Sequence, residues 1–202
     1  MLRLPKTMDH VAHRSLSMSL PNILTYGRIA AVPVLAGVLF FGTGEIARWL
    51  AFAIFVAACV TDWLDGYLAR IWEQQSNLGR MLDPIADKLL VGATLLMLVY
   101  TDTIGSWSIW AALTILSREI LVSGLREFLA ELNVKVHVTQ LAKWKTAVQF
   151  VALAILLAGP AAEKLLPGTT LAGMVLLWVA ALLTLLTGYD YLKAGIRHAI
   201  YR

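Results

Sequence analysis

The sequence predicts an all-α integral membrane protein with six transmembrane helices, a basic N-terminal juxtamembrane segment and both termini in the cytoplasm. Three observations lead there. Of 202 residues, 59% are hydrophobic and only 15% are charged, whereas a soluble domain is about half apolar and about a quarter charged. The mean hydropathy is +0.72. The apolar residues gather into runs close to the roughly 20 residues that a helix needs to cross hydrocarbon, and glycine- or proline-bearing breaks separate those runs. A single cysteine, Cys59, excludes an internal disulfide, and with only four histidines beside it a zinc centre is a poor fit.

Taken in order, residues 1–20 form a basic tail in which Arg3, Lys6 and Arg14 stand against Asp9. No cleavable signal pattern is present, and the tail suits a surface of anionic lipid headgroups. Nothing in its spacing demands a role in substrate binding. Residues 21–202 read as one domain, without repeat, linker or low-complexity tract. Six spans are expected, at 22–41, 48–69, 84–100, 107–129, 146–158 and 171–192. The fifth is short as an apolar run, so it extends back through Leu141 to Lys145 as a polar inner turn. Gly42-Thr43-Gly44, Gly105-Ser106 and Pro167-Gly168 are the breaks.

Orientation follows from the basic residues, which accumulate on the cytoplasmic side. With six spans, Arg3, Lys6, Arg14, Arg70, Arg80, Lys135, Lys143, Lys145, Lys193, Arg197 and Arg202 share one side, against Arg48 and Lys164 on the other. Both termini and the second loop are therefore expected to face the cytoplasm.

That second loop and its flanks carry TDWLDGYLARIWEQQSNLGRMLDPIADK, residues 61–88, with four aspartates: Asp62, Asp65, Asp83 and Asp87. Asp62 and Asp65 lie three apart and Asp83 and Asp87 four apart, so each pair shares a helix face. The short connection makes the two helices antiparallel neighbours whose carboxylates converge. Simpler roles exist for single members. Asp83-Pro84 is a good helix start, with Asp as N-cap and Pro first, and Asp65 has Arg70 within reach. Four together ask for more. One carboxylate at mid-membrane costs about 2.5–3.5 kcal/mol, so four cost on the order of 10 before repulsion is added. One or two hard divalent cations offset both terms, and all-oxygen ligation favours Mg²⁺, Mn²⁺ or Ca²⁺. Such ions beside small residues and an arginine suit a pyrophosphate, and a spare carboxylate can take a proton from a hydroxyl nucleophile.

As a pattern the stretch is D-x₂-D-G-x₂-A-R-x₈-G-x₃-D-x₃-D, from Asp62 to Asp87. It resembles the signature of the CDP-alcohol phosphotransferase family, with every fixed position present. The resemblance implies six transmembrane helices, two divalent cations (Mg²⁺ or Mn²⁺), a homodimer, and displacement of CMP from a CDP-linked lipid or alcohol. It implies that Asp62, Asp65, Asp83 and Asp87 hold the metals and that Asp87 is also the catalytic base. CDP-lipid contacts would come from Asp62, Asp65, Gly66, Ala69, Arg70 and Gly79, with Arg70 on the phosphates. Read without the family, Gly79 is a loop glycine and Ala69 a packing residue. NILTYGR (22–28), SREILVSGLREFLAEL (117–132) and KWKTAVQ (143–149) extend the likeness, which is to the bacterial phosphatidylglycerophosphate synthases of that family. The implied reaction joins CDP-diacylglycerol to sn-glycerol 3-phosphate, giving phosphatidylglycerophosphate and CMP.

The basic residues agree with a phosphorylated acceptor. Arg28, Lys88, Arg118, Arg126, Lys143 and Lys145 lie within expected spans or near their cytoplasmic ends, where an arginine faces the bundle interior or a wet cavity. Arginine's planar fork suits phosphate. The structural alternative pairs Arg118 or Arg126 with Glu119 or Glu127. Three functional alternatives remain at this level: the same chemistry with serine or an inositol phosphate, cardiolipin formation from phosphatidylglycerol, and a transporter or channel for divalent cations. The last accounts for four acids in a membrane but not for the spacing of Gly66, Ala69, Arg70 and Gly79. Nothing points to nucleic acid.

Overall fold

The structure, a computed structural model, describes residues 20–72, 77–131 and 140–200. Six helices follow one another: α1 (Leu20–Phe41), α2 (Gly44–Trp72), α3 (Asn77–Tyr100), α4 (Ser108–Glu131), α5 (Gln140–Ala162) and α6 (Thr169–Ile200). No strand occurs among the described residues. Five of the helices are long and apolar enough to cross a membrane. The exception is α3, whose first half carries Arg80, Asp83, Asp87 and Lys88. Leu96, Leu171 and Leu186 are exposed, as outward-facing apolar side chains are where lipid is the solvent. The chain is an all-α membrane protein; its basic tail and both terminal ends lie outside the described residues.

The expected breaks are where the chain turns. Gly42 closes α1, its amide donating to the Val38 carbonyl at 3.0 Å. A Cβ at Gly42 would stand 2.4 Å from that carbonyl oxygen, so glycine is required there. Gly44 and Gly168 take positive φ at 79° and 91°, just before or at the start of α2 and α6. Glu163 caps α6, its carboxylate accepting from the Gly168 amide (2.6 Å) and the Thr170 amide (2.8 Å). These two bonds hold its carboxyl below the ordinary glutamate range. Arg48 of α2 donates to the Thr103 hydroxyl beyond α3 at 2.7 Å, and Lys164 pairs with Glu45. The three turns around residues 42–45, 101–107 and 163–168 therefore share one end of the bundle. α5 starts at Gln140 and so includes Leu141 to Lys145, the polar inner turn that the sequence predicts.

Two expectations need correction. Asp83 is not an N-cap: α3 starts at Asn77 and runs through Pro84. Proline there removes one backbone donor, and the Asp83 carboxylate is taken by Thr25 of α1, at 2.6 Å, rather than by its own helix. Nor, among the described residues, do α2 and α3 pack closely along their lengths. Among the described residues, α1 packs on both and stands between them. The cause is a buried stripe on α1, formed by Thr25, Arg28, Leu35 and Leu39 at helical spacing. A buried guanidinium on that stripe needs acidic partners close by, and it finds them on both flanking helices. Below it the core is aliphatic, with Leu95 and Leu98 of α3, Ile115 of α4, Leu153, Leu156 and Leu157 of α5 and Leu177 of α6 fully buried. Phe55 of α2 meets Phe150 of α5 edge-to-face at 6.1 Å.

Candidate active site

Two arrangements adjoin at the polar end of α3. The first is acidic. Arg28, its side chain fully buried, places one nitrogen 2.8 Å from Asp62 of α2 and 3.0 Å from Asp87 of α3. Asp83, one helical turn before Asp87, is held from the same face of α1 by Thr25. The expected convergence of carboxylates from α2 and α3 is thus present for Asp62, Asp83 and Asp87, and among the described residues it is organised by α1 through Thr25 and Arg28. Asp65, Gly66, Ala69 and Arg70 belong to the final turns of α2, and their side chains lie outside the described residues. Gly79 is helical, buried in the first turn of α3, rather than in a loop.

Among the described residues no three acidic, histidine or cysteine side chains form a metal group on their own; Arg28 stands between two of the carboxylates. The donor chemistry nevertheless fits a hard divalent cation. Every candidate ligand is a carboxylate oxygen, each carboxylate remains partly open to solvent at 35–41% for Asp62 and Asp87, and the cluster already draws one positive charge to itself.

The second arrangement is a cavity of about 320 Å³ between α3, α4, α5 and α6. On the α3 wall stand Asp83, Asp87 and Lys88, and on the others Arg118, Arg126 and Lys145. Helical spacing produces both walls: 83, 87 and 91 on α3, and 118, 122 and 126 on α4, are each four apart. Four of the six basic residues singled out in the sequence therefore line one space. Arg28 does not, being held among the aspartates. Lys143 does not either: it is exposed, because a position two residues from Lys145 faces another way.

Three of the four cations in the cavity have oriented side chains. Lys145, its side chain 3% exposed, is paired with Glu119 of α4. Arg118 lies 3.8 Å from Glu119, donates to the Thr187 hydroxyl of α6 at 3.1 Å and sits over the Tyr191 ring at 5.9 Å. Gly188 leaves room for it, since a Cβ there would stand 3.2 Å from the Arg118 side chain. Lys88 turns back to the Pro84 carbonyl at 3.0 Å. Thus the structural alternative for Arg118 is half right: it has a carboxylate neighbour, yet it faces the cavity. Glu119, Gln149, Thr187 and Tyr191 were not anticipated as site residues. Gln149 had a signal, standing one turn after Lys145 in an apolar run, whereas Thr187 and Tyr191 lie in a span with nothing nearby to single them out.

What this arrangement can do chemically is hold an anion beside a carboxylate able to take a proton. A profile of the CDP-alcohol phosphatidyltransferase family matches residues 18–186, a range that contains both arrangements except for Thr187 and Tyr191. A CDP-diacylglycerol–glycerol-3-phosphate 3-phosphatidyltransferase of Rickettsia bellii is 47% identical over 176 residues, covering 87% of this chain and 94% of its own. One of the same description from Cereibacter sphaeroides is 38% identical over 214 residues, covering 90% and 97%. A cardiolipin synthase (CMP-forming) of Oryza sativa subsp. japonica is 42% identical over 190 residues, covering 87% of this chain and 57% of its own. Members of the family generally use divalent metal ions. With the profile covering most of its length and with relatives this similar, the chain belongs to the CDP-alcohol phosphatidyltransferase family.

Proposed function

We propose that the protein transfers a phosphatidyl group from CDP-diacylglycerol to sn-glycerol 3-phosphate, giving phosphatidylglycerophosphate and CMP. The observation that carries this is a shared wall: Asp83 and Asp87 belong both to the acidic cluster and to the cavity lined by Arg118, Arg126 and Lys145. Asp62, Asp65, Asp83 and Asp87 would hold two divalent cations, Mg²⁺ or Mn²⁺, which when bound neutralise the pyrophosphate and its leaving group. Gly66, Ala69, Arg70 and Gly79 take the CDP-lipid. Arg118, Arg126 and Lys145, with Lys88 at the α3 wall, draw the acceptor phosphate into the cavity, where bidentate arginine contacts fix its position. Asp87 takes the proton of the acceptor's terminal hydroxyl. That oxygen forms its bond to the phosphorus bearing diacylglycerol, the bond from this phosphorus to the bridging anhydride oxygen breaks, and CMP departs with the electron pair.

The basic bias of residues expected on one side supports a site facing the cytoplasm in a bacterial inner membrane. Six spans, counting the polar-headed α3, a tail at residues 1–20 lying on anionic lipid, and a homodimer belong to the same reading. The relative from rice favours one second reading, with phosphatidylglycerol as acceptor. The test is an acceptor competition. Purified protein with Mg²⁺ or Mn²⁺ and CDP-diacylglycerol is offered glycerol 3-phosphate, phosphatidylglycerol and serine. CMP release with label entering from glycerol 3-phosphate is expected; labelled product from either rival alone would replace this reading.

A further inference from the structure

We propose that Gln149 reads the second, non-reacting hydroxyl of the acceptor, its side-chain oxygen accepting a hydrogen bond from that group; this rests on the acceptor reading above. Gln149 lies in α5, one turn after Lys145, and is 1% exposed. It lines the cavity, and its Oε1 has no hydrogen-bond partner among the described residues. A buried polar atom left unmade is costly, and such exceptions call for a specific explanation.

The neighbours explain why the oxygen is left over. Lys145 is committed to Glu119, and Arg118 to Thr187 and Glu119. The other carboxylates on the walls are engaged as well, Asp83 by Thr25 and Asp87 by Arg28. A polyol phosphate brings three kinds of group into such a space. Its phosphate oxygens need donors, which the cations provide. Its reacting hydroxyl needs a base, which Asp87 provides. Its remaining hydroxyl is a donor that needs an uncommitted acceptor, and Gln149 Oε1 is one. Its neutrality suits the place. A carboxylate there would pair with Arg118 or Lys145 and repel the phosphate, whereas an amide oxygen does neither.

The decisive probe is 3-hydroxypropyl phosphate, which keeps the phosphate and the reacting hydroxyl and lacks the middle one. kcat/KM is measured for it and for glycerol 3-phosphate with the wild type, Gln149→Leu and Gln149→Met. A site built to bond a hydroxyl discriminates against an analogue without it, because its own group is then left unpaired. The wild type is expected to favour glycerol 3-phosphate by about tenfold or more. In the variants that preference falls to within about threefold of unity, through loss of glycerol 3-phosphate turnover while the analogue loses less than about threefold. Turnover of the analogue reports that the variant is folded, and Gln149→Met, which keeps the side chain's length, replaces the leucine variant should that one fail to fold. Two results overturn the proposal alone: equal loss for both acceptors in the variants, or a wild-type preference below about threefold, which needs no variant. A wild type that uses neither acceptor overturns the acceptor reading, and this inference falls with it.

Discussion

Arg28→Met separates the two roles open to Arg28, acceptor binding and organisation of the carboxylates. In the structure its buried guanidinium bonds Asp62 at 2.8 Å and Asp87 at 3.0 Å. A hydrogen bond involving a charged group contributes about 1.5–3 kcal/mol. Because these two carboxylates are 35% and 41% exposed, solvent screening places each bond at the lower end. Loss of both therefore destabilises the metal-free protein by about 3 kcal/mol, while methionine fills most of the vacated volume. For a chain of this size that lowers Tm by roughly 6–12 °C. In the proposed reading divalent cations neutralise the same carboxylates, and a ligand of the folded state stabilises it according to its concentration and affinity. Saturating Mg²⁺ should thus shrink the difference between variant and wild type to half or less. The assay is thermal unfolding of detergent-solubilised protein with EDTA and with Mg²⁺. An equal fall in both conditions would refute the reasoning. An unchanged Tm with a raised KM for glycerol 3-phosphate would return Arg28 to the acceptor site.

Other perturbations act on separate parts of the fold. Asp87→Asn removes the proposed base and cation ligand, and CMP release should fall by about 10²–10⁴ or more while the protein still elutes as the wild type does; retained turnover removes the assignment. Gly42→Ala drives a Cβ to within 2.4 Å of the Val38 carbonyl, and the shift this forces at the α1–α2 turn should cost about 1–3 kcal/mol, read as a lowered Tm. Glu163 has its folded pKa below its unfolded one, so its contribution is present above the unfolded glutamate value and is lost as pH falls through the folded value. Amide exchange at Gly168 and Thr170, compared at a common intrinsic rate, should lose protection on acidification, and Glu163→Gln should abolish that pH dependence.

The elements were legible because lipid demands them. Apolar runs near span length, cut by Gly42-Thr43-Gly44, Gly105-Ser106 and Pro167-Gly168, leave little choice of where the chain turns at those breaks, although the polar start of α3 at Asn77 was missed. Their neighbours were not legible. In a membrane the outer faces are as apolar as the inner ones, so hydrophobic periodicity does not say that α1 lies between α2 and α3. Asp83-Pro84 misled for a related reason. A helix-start pair is a local signal, and here the Asp83 carboxylate is satisfied by Thr25, 58 residues away in the chain. The aspartates could be found because charge in an apolar chain is expensive. The choice between Lys143 and Lys145 was available from helical spacing alone, since two positions two apart do not share a face. Glu119 was visible only as a possible partner of Arg118, whereas its stronger contact is with Lys145 across the α4–α5 interface.

The account depends most on acidic side chains of α2 and α3 gathering divalent ions beside the cation-lined cavity, and Mn²⁺ titration followed by electron paramagnetic resonance addresses it without any substrate. The protein is expected to bind Mn²⁺ saturably, to yield it to Mg²⁺, and to lose that binding in Asp62→Asn and Asp83→Asn variants that still unfold cooperatively in EDTA. Unaltered Mn²⁺ binding in both variants, or none in the wild type, would contradict it.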